Sequence, residues 1–300
     1  MTASRIGLIA APALIAGAFA LSQHNASAAG PAGDPNGRQA EPHHALRCGT
    51  PDLTRAQADD VEREADVLFE RFGHAQRADT VTVPIAFHVI SKGDTERDGN
   101  VPDSMIADQI AVMNESYAPW GIQFELSSVD RTVNRSWYNM SPGSPSEKEA
   151  KSTLNVDPTT HFNVYTASPG LGLLGWATFP WTLRFQTDQD GVVILNSSMP
   201  GGSINGYNEG DTLVHEAGHW LGLYHTFQGG CRGGDEVDDT APEASATSGC
   251  PTNKDTCTGD GPDPIENFMD YSYDSCMFEF TPGQGDRMNM ISGLFRRGIF

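Results

Sequence analysis

Residues 211–225 read DTLVHEAGHWLGLYH and contain the pattern HExxHxxGxxH. On a helix, His215 and His219 lie four residues apart on one face, so both imidazoles can bind a single metal ion. Gly222 has no Cβ and can take a left-handed conformation that ends the helix and turns the chain. His225, three residues further on, can then reach the same ion. The spacing therefore predicts a zinc site with three histidine ligands.

The residue types in this pattern also predict the chemistry of the site. Three neutral imidazoles leave the fourth position of a tetrahedral zinc ion open for water, as a catalytic zinc requires. Glu216 lies beside that position and could take a proton from the water and pass it to a leaving amine. This arrangement predicts peptide hydrolysis. Two alternatives remain at this point: a zinc hydrolase of non-protein amides, or a secreted binding module that keeps zinc for structure.

The charge of the chain excludes several classes of partner. The 300 residues include 39 Asp and Glu against 19 Lys and Arg, which gives a formal charge of −20. Binding to nucleic acid or to anionic lipid needs clustered basic residues, and the chain has no basic run. We therefore expect protein or peptide substrates, no nucleic acid, no membrane partner and a monomer.

The amino terminus has the layout of a secretory signal peptide. Arg5 precedes an apolar run over residues 6–21, and the small residues 26–29 follow it. Cleavage is expected after Ala28. The apolar run is short for a spanning helix, so we expect a secreted, extracellular protein.

The rest of the chain is expected to form a leader and one two-part domain. Residues 29–78 would be a propeptide, called the leader below, and residues 79–300 the metalloprotease catalytic domain. Hydrophobic periodicity predicts helices at 54–72 and 102–117, strands at 81–90, 122–126, 162–167 and 191–195, and a polar surface loop at 141–152. We expect these elements to form an upper subdomain at 79–225. Regular patterning is lost after this point, so we expect an irregular lower subdomain at 226–300.

A second motif follows the zinc pattern and carries a resemblance. The sequence NFMDY at 267–271 looks like the Met-containing turn of the metzincin metalloproteases, which also share the long zinc motif. Within the metzincins the chain most closely resembles the pappalysin family, in its shorter secreted microbial form. The stretches that carry this resemblance are RCGT at 47–50, HEAGHWLGLYHTFQG at 215–229, DDTAP at 238–242, NFMDYSYDSC at 267–276 and FTPGQ at 280–284.

This resemblance implies the fold and the remaining site residues. It implies an α+β, metzincin-like zincin domain with a twisted mixed sheet above the active-site helix and a cleft between the two parts. Met269 would form an apolar floor beneath the histidines, and Tyr271 would hydrogen-bond the oxyanion. The rim strand of the cleft, expected at 175–179 or 191–195, would pair with an extended substrate.

The chain has five cysteines, of which four lie in the lower subdomain and one lies in the leader. The four in the lower subdomain allow three pairings, or a second metal site; the resemblance implies the disulfides Cys231–Cys257 and Cys250–Cys276. Cys48, in the leader, resembles a cysteine switch. Its thiolate could occupy the fourth zinc position and keep the protease latent, although an incidental free thiol or an intermolecular disulfide would fit the same residue.

The lower subdomain is strongly acidic, with 13 acidic and two basic residues between positions 231 and 286. A solvated acidic surface would explain this composition. Two further interpretations are a substrate pocket in which Asp274 favours a basic residue after the scissile bond, and a Ca²⁺ site. The candidate calcium ligands are Asp235, Glu236, Asp238 and Thr240.

Overall fold

The computed structural model describes residues 47–73, 80–170, 172–232, 234–259 and 261–300. The predicted signal peptide, the first part of the leader and the predicted boundary near residue 79 lie outside the described residues. In the described part of the chain, no helix is both long and apolar enough to span a bilayer.

The described residues contain six α-helices and five strands. The helices are α1 (Arg55–Phe72), α2 (Asp103–Tyr117), α3 (Arg135–Tyr138), α4 (Pro145–Leu154), α5 (Asp211–Trp220) and α6 (Pro282–Phe295). The strands are β1 (Val81–Ser91), β2 (Ile122–Val133), β3 (Phe162–Ala167), β4 (Gly175–Ala177) and β5 (Val192–Leu195).

The strands form one mixed sheet in the order β2-β1-β3-β5-β4. Strands β2, β1, β3 and β5 pair in parallel with their neighbours in this order. Parallel pairing requires crossover connections, such as α2 between β1 and β2. Strand β4 pairs antiparallel with β5 and forms one edge of the sheet. The mixed sheet with segregated helices confirms the predicted α+β fold. Residues 191–195 are not the rim, because β5 lies inside the sheet and β4 covers it.

The active-site helix α5 lies at the centre of the packing. All ten of its residues are buried, and it packs against α2, β4 and β5. Trp220 at its end contacts Phe162 of β3, with 4.3 Å between the ring centroids. The Tyr117 hydroxyl of α2 donates to the Val214 carbonyl over 2.7 Å. The sheet and α2 thereby fix the helix that carries the zinc motif.

The short helix α3 and two longer helices differ from the sequence expectations. The predicted polar loop at 141–152 is wrong over its second half, because α4 begins at Pro145, with the Ser144 side chain as its N-cap. This helix buries an ion pair between Lys151 and Glu147, 2.9 Å apart, so its inward face is charged rather than apolar. Polar residues on a buried face conceal a helix from hydrophobic periodicity.

The second difference is α6, which the loss of patterning after residue 226 did not reveal. Thr281 and Gln284 form a capping box at its start. Its three glycines and scattered polar residues weaken the apolar stripe, although Met288 and Ile291 are fully buried. The segment between α5 and α6 is otherwise irregular, and it contains the disulfides Cys231–Cys257 and Cys250–Cys276. Cys48 is free and buried.

Candidate active site

The three histidines of the long motif converge on one point. His215 and His219 project from one face of α5, and the Nε2 atoms of this pair are 3.2 Å apart. The helix ends at Trp220, and Gly222 follows with φ 106°. A Cβ at Gly222 would lie 2.5 Å from Ile291, so both backbone conformation and space require glycine there. The turn returns His225, whose Nε2 lies 3.0 Å from that of His219.

The outer nitrogen of each imidazole is held by a hydrogen bond. His215 Nδ1 donates to the Phe268 carbonyl over 2.7 Å, and His219 Nδ1 donates to the Leu223 carbonyl over 2.8 Å. His225 Nδ1 donates to Asp52 Oδ1 over 2.7 Å. Burial lowers the pKa of His215 and of His219. His215 and His219 therefore present an unprotonated Nε2 to the centre, which is the form that binds metal.

The donor set fits a zinc ion. The Cys48 sulfur and one nitrogen from each of the three histidines all lie within 4.8 Å of one another. Zinc–nitrogen bonds of about 2.0–2.1 Å in a tetrahedron separate two nitrogens by roughly 3.3 Å, close to the two separations given above. One sulfur and three imidazoles would supply all four ligands of a tetrahedral zinc ion, and removing the sulfur would leave one position open.

Glu216 lies beside this centre and contacts the leader. Its Oε2 accepts hydrogen bonds from Thr50 Oγ1 over 3.0 Å and from Cys48 Sγ over 3.4 Å. Burial raises the pKa of Glu216 to about 8, while both hydrogen bonds act to lower it. Gly175 of β4 makes room for this side chain, because a Cβ there would lie 2.8 Å from Glu216 Cγ. Glu216 is therefore close to the metal centre but engaged by leader side chains.

The Met-containing turn packs beneath the histidines. Met269 is fully buried, and a Cβ at Gly218 would lie 2.4 Å from its sulfur. Glycine on α5 thus allows the turn to approach the helix. The Tyr271 hydroxyl lies 3.1 Å from His225 Nε2, and burial raises its pKa, so the hydroxyl keeps its proton.

Leader residues 47–50 pair with the edge strand β4. Gly49 N donates to the Gly175 carbonyl over 2.8 Å, and Leu174 N donates to the Arg47 carbonyl over 2.7 Å. The pairing of Cys48 with Gly175 is parallel. Ala177 N also donates to Thr50 Oγ1 over 2.8 Å. The leader therefore lies across the metal centre and pairs with the edge of the sheet through one parallel bridge.

Arg47 lies in an acidic pocket next to the metal centre. Its guanidinium donates to the Ser272 carbonyl over 2.6 Å and stacks 3.5 Å above the Tyr207 ring. The pocket wall includes Asp270 and Asp274. Burial lowers the pKa of Arg47 to about 10, while the charges of these two carboxylates act to raise it. Asp274 is held there because its Oδ2 accepts the Glu209 N–H over 2.9 Å.

The four candidate calcium ligands have different surroundings. Asp235 is buried, which raises its pKa to about 7. Its Oδ2 and Thr240 Oγ1 are buried atoms with no hydrogen bond of adequate geometry in the described part of the chain. Glu236 instead pairs with Arg55 of α1 over 2.9 Å, and Asp238 is exposed.

Sequence reasoning did not identify two leader residues that touch the site. Thr50 was noted only as part of a motif, and the structure places it on Glu216. Asp52 carried no signal at all, since its partner His225 is 173 residues away. Neither contact could be found from local spacing.

Comparison with known proteins identifies relatives of this chain. A family model described as pregnancy-associated plasma protein-A matches residues 148–292. Extracellular metalloprotease 1 of Coccidioides posadasii is 47% identical over 222 residues, covering 73% of this chain and 79% of the relative. An extracellular metalloprotease of Pyricularia oryzae is 45% identical over 262 residues, covering 84% of this chain and 90% of the relative.

Solved structures show the same fold. A promirolysin mutant from Tannerella forsythia superposes with a TM-score of 0.70 at 25% identity, covering 84% of this chain and 96% of its own. Mature mirolysin from the same organism, in complex with a cleaved peptide, gives a TM-score of 0.63 at 28% identity. It covers 74% of this chain and 96% of its own.

Proposed function

The chain belongs to the pappalysin family of zinc metalloendopeptidases, and we propose that it is an extracellular protease made as a latent precursor. The observation that carries this proposal is the centre formed by three histidines and Glu216, closed by Cys48 of the leader. The family relationship does not favour the alternatives of a zinc-binding module without activity or a hydrolase of non-protein amides.

The catalytic roles follow from the side chains that surround the centre. His215, His219 and His225 would hold zinc, which when bound polarises the scissile carbonyl and lowers the pKa of water. Glu216 takes a proton from the attacking water and delivers it to the leaving nitrogen. The Tyr271 hydroxyl donates a hydrogen bond to the oxyanion. The unpaired edge of β4, once free of the leader, pairs with the substrate backbone.

Latency in this proposal comes from two contacts of the leader. The Cys48 sulfur occupies the side of the centre that water needs, and the leader also binds Glu216 through Thr50. Further support comes from the solved structures. The promirolysin match covers 84% of this chain and the mature mirolysin match 74%, a difference of about 30 residues, similar in length to the described leader residues 47–73.

Replacing Cys48 by Ala tests the latency. We expect Cys48→Ala to cleave its own leader during expression, because water can then enter the fourth position, whereas the parent stays intact over the same time. Electrophoresis with sequencing of the new amino terminus measures the cleavage. The double variant Cys48→Ala, Glu216→Gln should stay intact, which separates self-cleavage from cleavage by the host. Equal latency of Cys48→Ala and the parent would refute the switch.

The Arg47 pocket supports a preference for a basic residue after the scissile bond. The leader runs parallel to β4, and Arg47 precedes Cys48. A substrate that pairs antiparallel with β4 runs in the opposite direction, so the residue after its scissile bond reaches the same pocket. Asp274 and Asp270 supply negative charge there. Arg47 thus stands in for the side chain of the substrate.

Profiling a peptide library with activated enzyme tests this preference. We expect Arg or Lys to be enriched after the cleaved bond, and Asp274→Asn to lower kcat/KM for Arg peptides about tenfold or more, as loss of a charge-assisted contact does. Cleavage of peptides with Leu at that position should change little. The control Asp286→Asn removes an exposed carboxylate of α6. A library without basic enrichment would contradict the proposal.

Calcium binding and the domain limits stay predictions. A bound Ca²⁺ ion near Asp235 would satisfy the buried Asp235 and Thr240 oxygens. Glu236 is engaged by Arg55 in this structure, so the proposed site would gain it only after the leader leaves. Cleavage after Ala28 and near residue 79 is part of the same proposal, as is a monomeric enzyme with protein or peptide substrates.

A further inference from the structure

The third histidine of the metal centre differs from the other two in what supports it. His215 and His219 donate from Nδ1 to backbone carbonyls of the catalytic domain. His225 donates to a carboxylate, Asp52 Oδ1, which belongs to the leader. A carboxylate behind a metal-binding imidazole fixes the tautomer and orientation of the ring and strengthens the ligand. The strongest such partner in this centre therefore comes from a segment that the mature enzyme loses.

Asp52 is well placed to act as an electrostatic partner. Its side chain is 53% exposed, while that of His225 is 3% exposed. The carboxylate thus stays hydrated on its outer side while it contacts the buried ring. Phe227 stacks on the face of the His225 ring, with 4.7 Å between the ring centroids. The imidazole therefore contacts an aromatic ring on its face and a carboxylate at its Nδ1 edge.

The leader holds Asp52 in place from both sides. Before it, Gly49 and Thr50 are bound to β4. After it, Thr54 caps α1, and Arg287 of α6 pairs with Glu62 of α1 over 2.6 Å. Two anchored flanks leave the intervening residues little freedom, so the position of Asp52 is a property of the docked leader.

We propose that Asp52 is a positioning residue for zinc: it orients His225 while the leader is docked, and the precursor binds zinc more tightly because of it. The leader then has two separate effects on the centre. Cys48 adds a direct ligand and blocks the site, whereas Asp52 acts through His225 and assists zinc loading. This inference rests on the zinc binding of the proposed function and extends it to the assembly of the site.

The test uses the full chain with Glu216→Gln, which prevents self-cleavage. Zinc affinity is measured by competition with a calibrated chelator for this parent and for added Asp52→Asn and Asp52→Ala. We expect zinc affinity to fall about 10- to 100-fold in Asp52→Ala, as it does when the partner of a ligating histidine is removed. Asp59→Asn is the matched control, because Asp59 pairs with the nearby Arg55 on the surface of α1 and its replacement should change nothing.

A second measurement separates positioning from loss of leader docking. With Co²⁺ in place of zinc, a bound Cys48 thiolate gives a charge-transfer absorption band. We expect Asp52→Asn to keep this band while its metal affinity falls. Affinity within twofold of the parent, or loss of the band together with affinity, would overturn the inference. If the parent itself lacks the band, the Cys48 switch is refuted instead. The ratio of the zinc affinities of the parent and the Asp52 variants then tests the role of Asp52 by itself.

Discussion

Replacing Glu216 by Gln is expected to lower kcat/KM for a peptide substrate by about 10²- to 10⁴-fold while zinc remains bound, since general acid and base catalysis contributes about that factor. The amide has nearly the same shape as the carboxylate but cannot accept a proton from water. In the structure the Glu216 carboxylate contacts Cys48 and Thr50 rather than joining the three histidines. Activity should therefore be lost without loss of metal.

The experiment is made with Cys48→Ala as the background, so that latency does not limit the rate. Initial rates on a quenched-fluorescent peptide give kcat/KM, and elemental analysis gives the zinc content. His219→Ala is the comparison, because it removes a ligand and should lose both zinc and activity. If Glu216→Gln kept activity within tenfold of its background, or lost zinc, Glu216 would not be the general base.

Replacing Arg296 by Met is expected to lower the free energy of unfolding by about 3–5 kcal/mol, the usual effect of breaking a buried ion pair from one side. Arg296 follows α6, and both its side chain and that of Asp190 are fully buried. The two guanidinium NH₂ groups donate to the two Asp190 oxygens, each over 2.9 Å. Arg296 also donates to the Trp220 carbonyl over 2.8 Å. Its loss leaves the Asp190 charge buried with only neutral donors.

Urea unfolding with intact disulfides measures this change, with Glu216→Gln present to prevent autolysis. The double variant Asp190→Leu, Arg296→Met should recover much of the loss, because an apolar pair leaves no buried charge. Arg297→Met is the control. Arg297 is exposed and stacks on Phe72, so its replacement should cost less than about 1 kcal/mol. Equal effects at positions 296 and 297 would contradict the argument.

The ion pair between Asp190 and Arg296 connects the chain before the active-site helix α5 with the chain after it. Trp220, which follows His219 of the metal centre, donates through its indole to Asp190 Oδ2 over 2.9 Å. Thr178, just after the rim strand β4, donates to Asp190 Oδ1 over 2.8 Å. Asp190 therefore joins the rim, α5 and the chain end after α6.

Much of the fold and of the centre could be predicted from local pattern. The long apolar strands β1 and β3 and the helices α1 and α2 begin and end within a residue or two of their predicted positions. They have strong periodicity and recognisable caps, as in α1. By contrast, α4 was read as a loop because its buried face carries the Glu147–Lys151 pair. The weakly patterned α6 was not predicted at all.

The sequence by itself determined the convergence of His215, His219 and His225 and the place of Glu216 beside them, because the spacing of side chains on one helical turn and the turn at Gly222 are local properties of the backbone. Only the tertiary structure decided which leader residues reach them. The contacts of Asp52 with His225 and of Thr50 with Glu216 join residues more than 160 positions apart. Such contacts depend on how the leader docks on β4 and α6, and no local spacing encodes that packing.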